Sequence, residues 1–328
     1  MKSVAVAPAK VILTGEHFVV YGTAAIVTAV GIHSKATVSW RRDGAIVIRS
    51  SLPKCAISIN ERQCEILHGG QQARTLLEPI SLVAQATLKE SGDQHRGLNV
   101  QIESNIPVGV GLGSSAAVAV STISAIVRLL SGKLDRKLTR RLAFESERHV
   151  HKIPSGIDQT VSTYGGVIVY QREKPFKHVV LRRTFPIIIG DTGIRRSTGD
   201  IVSRVKAFLA ERDTLMKRVM KSANLISRRA LVAVQQADRK RLGELMNLNH
   251  ELLRQIEVST KELDQLVSAA REAGAFGAKL TGAGGGGCMI ALASPDNTPK
   301  VLEAIREAGG NSYLANIERR GVKSWLLD

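Results

Sequence analysis

The chain has 328 residues, 44% hydrophobic and 23% charged, enough for two domains and a sizeable core. It carries 46 lysines and arginines against 29 acidic residues, a net charge of +17 that favours anionic partners. Aromatic residues make up only 4%, too few for a base-stacking platform, and the basic residues come as scattered pairs such as Arg140–Arg141 and Arg228–Arg229, so small anionic ligands are expected rather than nucleic acid.

The first forty residues read as strand, turn, strand: Val4, Val6, Val11 and Ile12 surround Pro8, and Gly22 and Gly31 punctuate the stretch beyond them. Residues 45–49 and 55–59 alternate as short strands. Apolar residues at 76, 77, 80, 83, 84 and 88 give 71–91 a helical period, with Pro79 near its start or at a kink. Leu98, Val100 and Ile102 alternate with polar neighbours and predict a strand at 98–103. A glycine-rich turn then opens into a long helix of small and apolar residues starting at Ser114. Residues 137–150 predict another helix, and 161–170 a strand. After a composition shift at 171–180, residues 178–190 read as strand and 200–274 as a helix-rich block. A glycine run then leads into a strand ending at 293. A helix near 297–308 and strands near 312–318 and 322–327 come last. The shift divides the chain into units at 1–175 and 176–328, each mixing helices and strands. No apolar run approaches the roughly 20 residues that span a bilayer, and the N-terminus lacks a signal-peptide layout. Three cysteines, Cys55, Cys64 and Cys288, form no CxxC pair, which argues against a disulfide scaffold or zinc–thiolate site and fits a reducing cytoplasm.

Four segments carry chemistry. In Pro107–Ala116, Gly109, Gly111 and Gly113 alternate through a turn that ends in Ser114 and Ser115. The first N–H groups of a helix lack internal partners and carry partial positive charge, so such an end accepts phosphate. No lysine follows Gly113, so the segment is not a P-loop, and serine at 114 breaks the dinucleotide fingerprint. The second segment, APAKVILTGEH, sets Lys10 just after Pro8: either a charge inside a cleft or a surface lysine flanking a strand. The third, FESERHVHKIPSGID, runs a helix into a Pro-Ser-Gly turn that presents Asp158, as a turn residue or as a catalytic group. The fourth, TGAGGGG at 281–287, abuts an apolar strand, so its backbone is expected to approach a ligand. His149 and His151 do not share a helix face, and a transition-metal site there is not expected.

Taken together, APAKVILTGEHFVVYG, PVGVGLGSSAA, FESERHVHKIPSGIDQTVSTYGG and KLTGAGGGGC resemble, in order and spacing, the small-molecule kinases named for galactose, homoserine, mevalonate and phosphomevalonate, the GHMP kinases. The resemblance spans essentially the whole chain. It implies an α+β, two-domain GHMP kinase fold, with an N-terminal mixed α/β domain, a C-terminal ferredoxin-like domain and the active site in the cleft between them. It implies ATP and Mg2+, with mevalonate the expected acceptor and phosphomevalonate or another small alcohol the alternative. Asp158 matches the catalytic aspartate and Lys10 the lysine beside it. Pro107, Gly109, Gly111, Leu112, Gly113, Ser114, Ser115 and Ala116 match the phosphate loop, and Ser115 and Glu147 the metal ligands. Glu16, His17, Thr198, Gly282 and Ala283 match substrate-pocket positions. Arg196 is the expected partner of a substrate carboxylate, since arginine grips a carboxylate bidentately. A homodimer is also what the family implies.

Overall fold

The computed structural model describes residues 1–60, 63–150, 156–195 and 198–327. Its elements, in chain order, are β1 (Lys2–Thr14), a 3-10 turn at Phe18–Tyr21, β2 (Ala25–Arg41), β3 (Ile46–Ser51), β4 (Lys54–Ile59), β5 (Cys64–His68), α1 (Gly70–Glu90), β6 (Gly97–Ser104), α2 (Ser114–Ser131), α3 (Arg136–Val150), α4 (Ile157–Tyr164), β7 (Val167–Tyr170) and β8 (Lys177–Val179). The chain continues through β9 (Pro186–Asp191), α5 (Thr198–Ala210), α6 (Asp213–Gln236), α7 (Arg239–Gln255), α8 (Lys261–Glu272), β10 (Gly277–Leu280), β11 (Cys288–Leu292), α9 (Thr298–Glu307), β12 (Asn311–Asn316) and β13 (Lys323–Leu327).

Two sheets organise these elements. In the first the order is β13-β1-β2-β6-β3-β4-β5, with β7 beside β2 and β8 beside β7. Its pairings are antiparallel except β3 with β6. In the second, β10-β11-β9-β12, every pairing is antiparallel. That order, with α9 between β11 and β12 and α7, α8 and α9 packed against the strands, is the split βαβ pattern of a ferredoxin-like unit. β8 and β13 lie past residue 175 yet belong to the first sheet, so a division at 175/176 does not separate the two sheets cleanly.

α2 packs across β1 and β2. Its buried face is built from small residues, including Ala116, Ala117, Ser121 and Ala125, which let the helix approach the sheet closely. Ser3 on β1 donates to the Ala125 carbonyl at 2.6 Å. By length and composition α2 could cross a membrane, but in this fold more than half of it is buried inside the protein. On a separate apolar cluster, α4 sets Ile157 and Val161, one turn apart, against Ile12, Val27 and Ile168. This explains one departure from the sequence reading. Residues 161–164 are the end of a helix, and only 167–170 form a strand. Burying both residues on one helix face outweighs the β-branched preference of Thr160, Val161 and Thr163. Likewise 178–190 is two strands, β8 and β9, separated by an irregular stretch. β5, a largely exposed strand that pairs with β4, carries too little apolar patterning to be expected from sequence.

The two units meet along β1. β13 covers its outer edge only from Lys2 to Val6. Beyond that, loops take over: Lys10 N–H donates to the Leu112 carbonyl at 3.0 Å, and Ile12 N–H to the Thr281 hydroxyl at 2.9 Å. β1 therefore joins the glycine-rich turn of the first unit to the glycine run of the second.

Candidate active site

Pairing of β1 with β2 slips between Pro8, opposite His33, and Ala9, opposite Val30, where β2 bulges at Gly31 and Ile32. Proline has no N–H for the ladder, and a bulge in one strand locally disrupts the pairing and increases the twist. Ser162 on α4 donates to the Pro8 carbonyl at 2.8 Å. Asp158 is one turn earlier on the same helix face as Ser162, so this bond docks the aspartate beside the residues next to the bulge. Lys10 Nζ lies 3.1 Å from Asp158 Oδ1. The lysine side chain is 5% exposed and the aspartate 25%, so the carboxylate is the accessible partner.

The glycine-rich turn closes over this pair. Gly109, Gly111 and Gly113 all have positive φ, at 80°, 91° and 75°. A Cβ on Gly113 would stand 3.0 Å from Lys10 Cγ and 3.5 Å from Asp158 Oδ2. Gly113 is the N-cap of α2, and no side chain caps that end. The first helical bond runs from Ala117 N–H to the Gly113 carbonyl, so the amides of Ser114, Ser115 and Ala116 are not taken up within the helix. Three backbone donors and the positive end of the helix dipole are thus presented next to the Lys10–Asp158 pair, an arrangement suited to phosphate.

Glu147 reaches the same place from α3. Its Oε2 is buried without a hydrogen-bond partner. Burial, reinforced by the charge of Asp158 and opposed by that of Lys10, pushes its carboxyl up to about 8. A buried carboxylate oxygen without a partner is a hard donor suited to a divalent cation, which would relieve that cost.

The opposite wall comes from the segment after β1 and from the glycine run. His17 has φ 59° and ψ −47°, a conformation that costs a non-glycine residue free energy and persists only when neighbours enforce it. Its Nε2 lies 2.8 Å from the Ala283 carbonyl. A carbonyl only accepts, so Nε2 carries the proton. Gly282 has φ 83°, and Ala283 is buried. Glu16, expected in the substrate pocket, is instead 1% exposed. One carboxylate oxygen is paired with Lys279 and the other accepts from Asn249 Nδ2 at 3.2 Å. Both carboxylate oxygens are thus engaged by partners within the protein. Burial pushes Glu16 up and Lys279 down, each opposed by the partner's charge. Lys279 lies in the KLTGAGGGGC motif, but nothing in the motif indicates a partner for it. Asn249, in the middle of α7, carries no sequence signal at all.

The two glycine segments are fastened to each other, and the loop after β9 reaches both. Cys288 N–H donates to the Val110 carbonyl at 3.1 Å, and Gly287 N–H to the Ile194 carbonyl at 3.0 Å. The Arg195 stem lies against Gly109, 3.5 Å from the place a Cβ there would occupy. Thr198 opens α5. Arg196 falls outside the described residues, as does His151.

The chain matches the GHMP kinases N terminal domain over residues 78–166 and the GHMP kinases C terminal domain over 230–311. It is 40% identical to a mevalonate kinase of Pyrococcus furiosus, with 98% of each chain covered. Among solved structures, it is similar to an L. major mevalonate kinase in complex with R-mevalonate (TM-score 0.82, 29% identity, 95% of each chain). It is also similar to the Methanococcus jannaschii mevalonate kinase (TM-score 0.84, 26% identity, 96% of this chain and 98% of that one). Likeness of this extent, over both units and all four motif segments, makes the chain a member of the GHMP kinase family, on its mevalonate kinase branch.

Proposed function

We propose that this chain transfers the γ-phosphoryl group of ATP to the primary hydroxyl of (R)-mevalonate, giving 5-phosphomevalonate. The observation that carries the reading is the 3.1 Å Lys10–Asp158 pair at the uncapped N-terminus of α2. Phosphoryl transfer needs positioning and charge stabilisation more than covalent chemistry. Asp158, the accessible member of the pair, receives or orients the proton of the attacking hydroxyl. Lys10 stands beside it to offset charge on the attacking oxygen. The amides of Ser114, Ser115 and Ala116 hold phosphate oxygens, and the turn at Pro107, Gly109, Gly111, Leu112 and Gly113 lets those oxygens approach the backbone.

The residues present fit Mg2+, which takes one or two protein oxygens and completes its shell from phosphate and water. Glu147 Oε2 and the Ser115 hydroxyl would hold it. When bound, Mg2+ would supply positive charge that offsets the negative charge of the phosphates. On the acceptor side, His17, Gly282, Ala283 and Thr198 would line the pocket, and Arg196, which lies outside the described residues, is the expected partner of the substrate carboxylate.

The test is ADP release with mevalonate, phosphomevalonate and small sugars, with and without Mg2+. Mevalonate is expected to give the highest kcat/KM, and only with the metal; preference for another acceptor overturns the substrate assignment. Asp158→Asn should abolish turnover while ATP binding persists. A near-normal rate in that variant rejects the mechanism.

A further inference from the structure

Lys279 is fully buried on β10, and so is the carboxylate with which it pairs. An ammonium group has three donors, and here each has an acceptor: Glu16, the Leu280 carbonyl, and the Ile12 carbonyl at 3.4 Å. These acceptors lie on both sides of the junction between units, Ile12 on β1 and Leu280 on β10. Asn249 on α7 completes the arrangement from a third direction. Its Nδ2 donates to Glu16, and its Oδ1 accepts from Gly15 N–H at 3.4 Å. α7 can lie this close to β10 because Gly243 and Gly277 meet there; a Cβ on Gly277 would stand 1.9 Å from the Gly243 carbonyl oxygen.

The segment Gly15–Glu16–His17 is therefore held at each residue in turn: backbone to Asn249, carboxylate to Lys279, imidazole to Ala283. A fully buried ion pair is weak support for stability, since apolar residues of similar volume often do as well or better. What this pair supplies is a fixed place for the residue beside it, whose backbone is strained. We propose that Lys279 and Glu16 are positioning residues that hold His17 against Ala283 and so set the acceptor wall of the active site. The inference rests on the phosphoryl-transfer reading and adds to it two residues that touch neither substrate nor phosphate.

The decisive variant is Glu16→Gln with Lys279→Met. It removes both charges together, keeps an amide for Asn249 and fills the lysine volume. Displacing a positioned group by a fraction of an ångström costs roughly tenfold or more in rate. For mevalonate, kcat/KM should fall by at least that factor, chiefly through KM, with KM for ATP unchanged and the melting temperature within a few degrees of wild type. His17→Ala should have a similar effect alone. Combining it with the double variant should add little, because the pair acts through His17. Fully additive losses, or unchanged mevalonate kinetics in a folded double variant, overturn the inference.

NMR of the His17 ring in the free enzyme gives a readout independent of turnover. Wild type should hold the Nε2–H form, and the double variant should show averaged tautomers; an unaltered ring overturns the inference even if kcat/KM falls. Absence of mevalonate turnover in wild type, with the ring signals behaving as expected, counts against the phosphoryl-transfer reading alone. Should the double variant fail to fold, Lys279→Arg, which keeps the charge but not the fit, supplies the same ring and KM measurements.

Discussion

Replacing Gly113 by alanine tests whether the close approach of the phosphate turn to the Lys10–Asp158 pair matters for catalysis. The new Cβ would lie 3.0 Å from Lys10 Cγ and 3.2 Å from its Cε. Carbon atoms sit comfortably at about 3.5–4.0 Å, so the lysine stem must retreat by roughly half an ångström. The φ of 75° adds strain of its own, about 1–2 kcal/mol for a residue with a Cβ. If a 1 Å misplacement of a reacting group costs about a hundredfold, half that displacement should lower kcat by about tenfold. Gly132 at the other end of α2 is the control. Its φ is 69° and nothing lies within 4 Å of a Cβ there. Gly132→Ala should lose a similar amount of stability and no activity. Calorimetry and ADP-release kinetics on the two variants separate strain from displacement. A Gly113→Ala enzyme with kcat within twofold of the Gly132→Ala enzyme would refute the reasoning.

Two further predictions concern titration. Glu147 titrates near 8 in the fold and near 4.5 when unfolded, so its folded-state pKa is raised. The penalty for its ionisation is absent below about 4.5 and grows as pH rises towards 8. In metal-free protein, Glu147→Gln should therefore raise the melting temperature more at pH 8 than at pH 5, while the Mg2+ concentration for half-maximal rate increases. An unchanged Mg2+ titration removes its assigned role. His250 is held down at about 4, first by burial and then by Arg271, with Lys279 adding to this and Asp264 and Glu251 opposing. The unfolded chain takes up a proton near pH 6.5 that the folded imidazole refuses until about 4, so this residue's contribution to stability is lost as pH falls through that window, by at most about 1.4 kcal/mol per unit. The urea midpoint should drop between pH 7 and 4.5 by more in wild type than in His250→Gln; parallel curves would contradict the assignment.

Much of the candidate site was legible because its parts are local. Alternating glycines followed by serines and small apolar residues specify a left-handed turn and a helix start wherever they occur, and φ at 109, 111 and 113 has the expected sign. Asp158 comes just after a Pro-Ser-Gly sequence that reads as a turn, and it lies in the first turn of α4, a helix the sequence reading did not place. The helical and strand periods also located most elements, failing where a short helix used β-branched residues, at 157–164, and where a strand was exposed on both faces, at 64–68.

What the sequence by itself determined is the set of functional pieces and their chemistry: the turn, the acid, the amine and the glycine run. Which pieces touch was decided by the tertiary structure. The slip at Pro8 and the Ser162 bond bring Asp158 to Lys10; the contact of Gly243 with Gly277 brings Asn249 and Lys279 to Glu16, so that a residue expected in the substrate pocket is buried and paired. The physical reason is range. Backbone propensity and hydrophobic period act over a few residues, whereas a paired charge is defined only by register and packing between segments distant in the chain, and no local pattern encodes it.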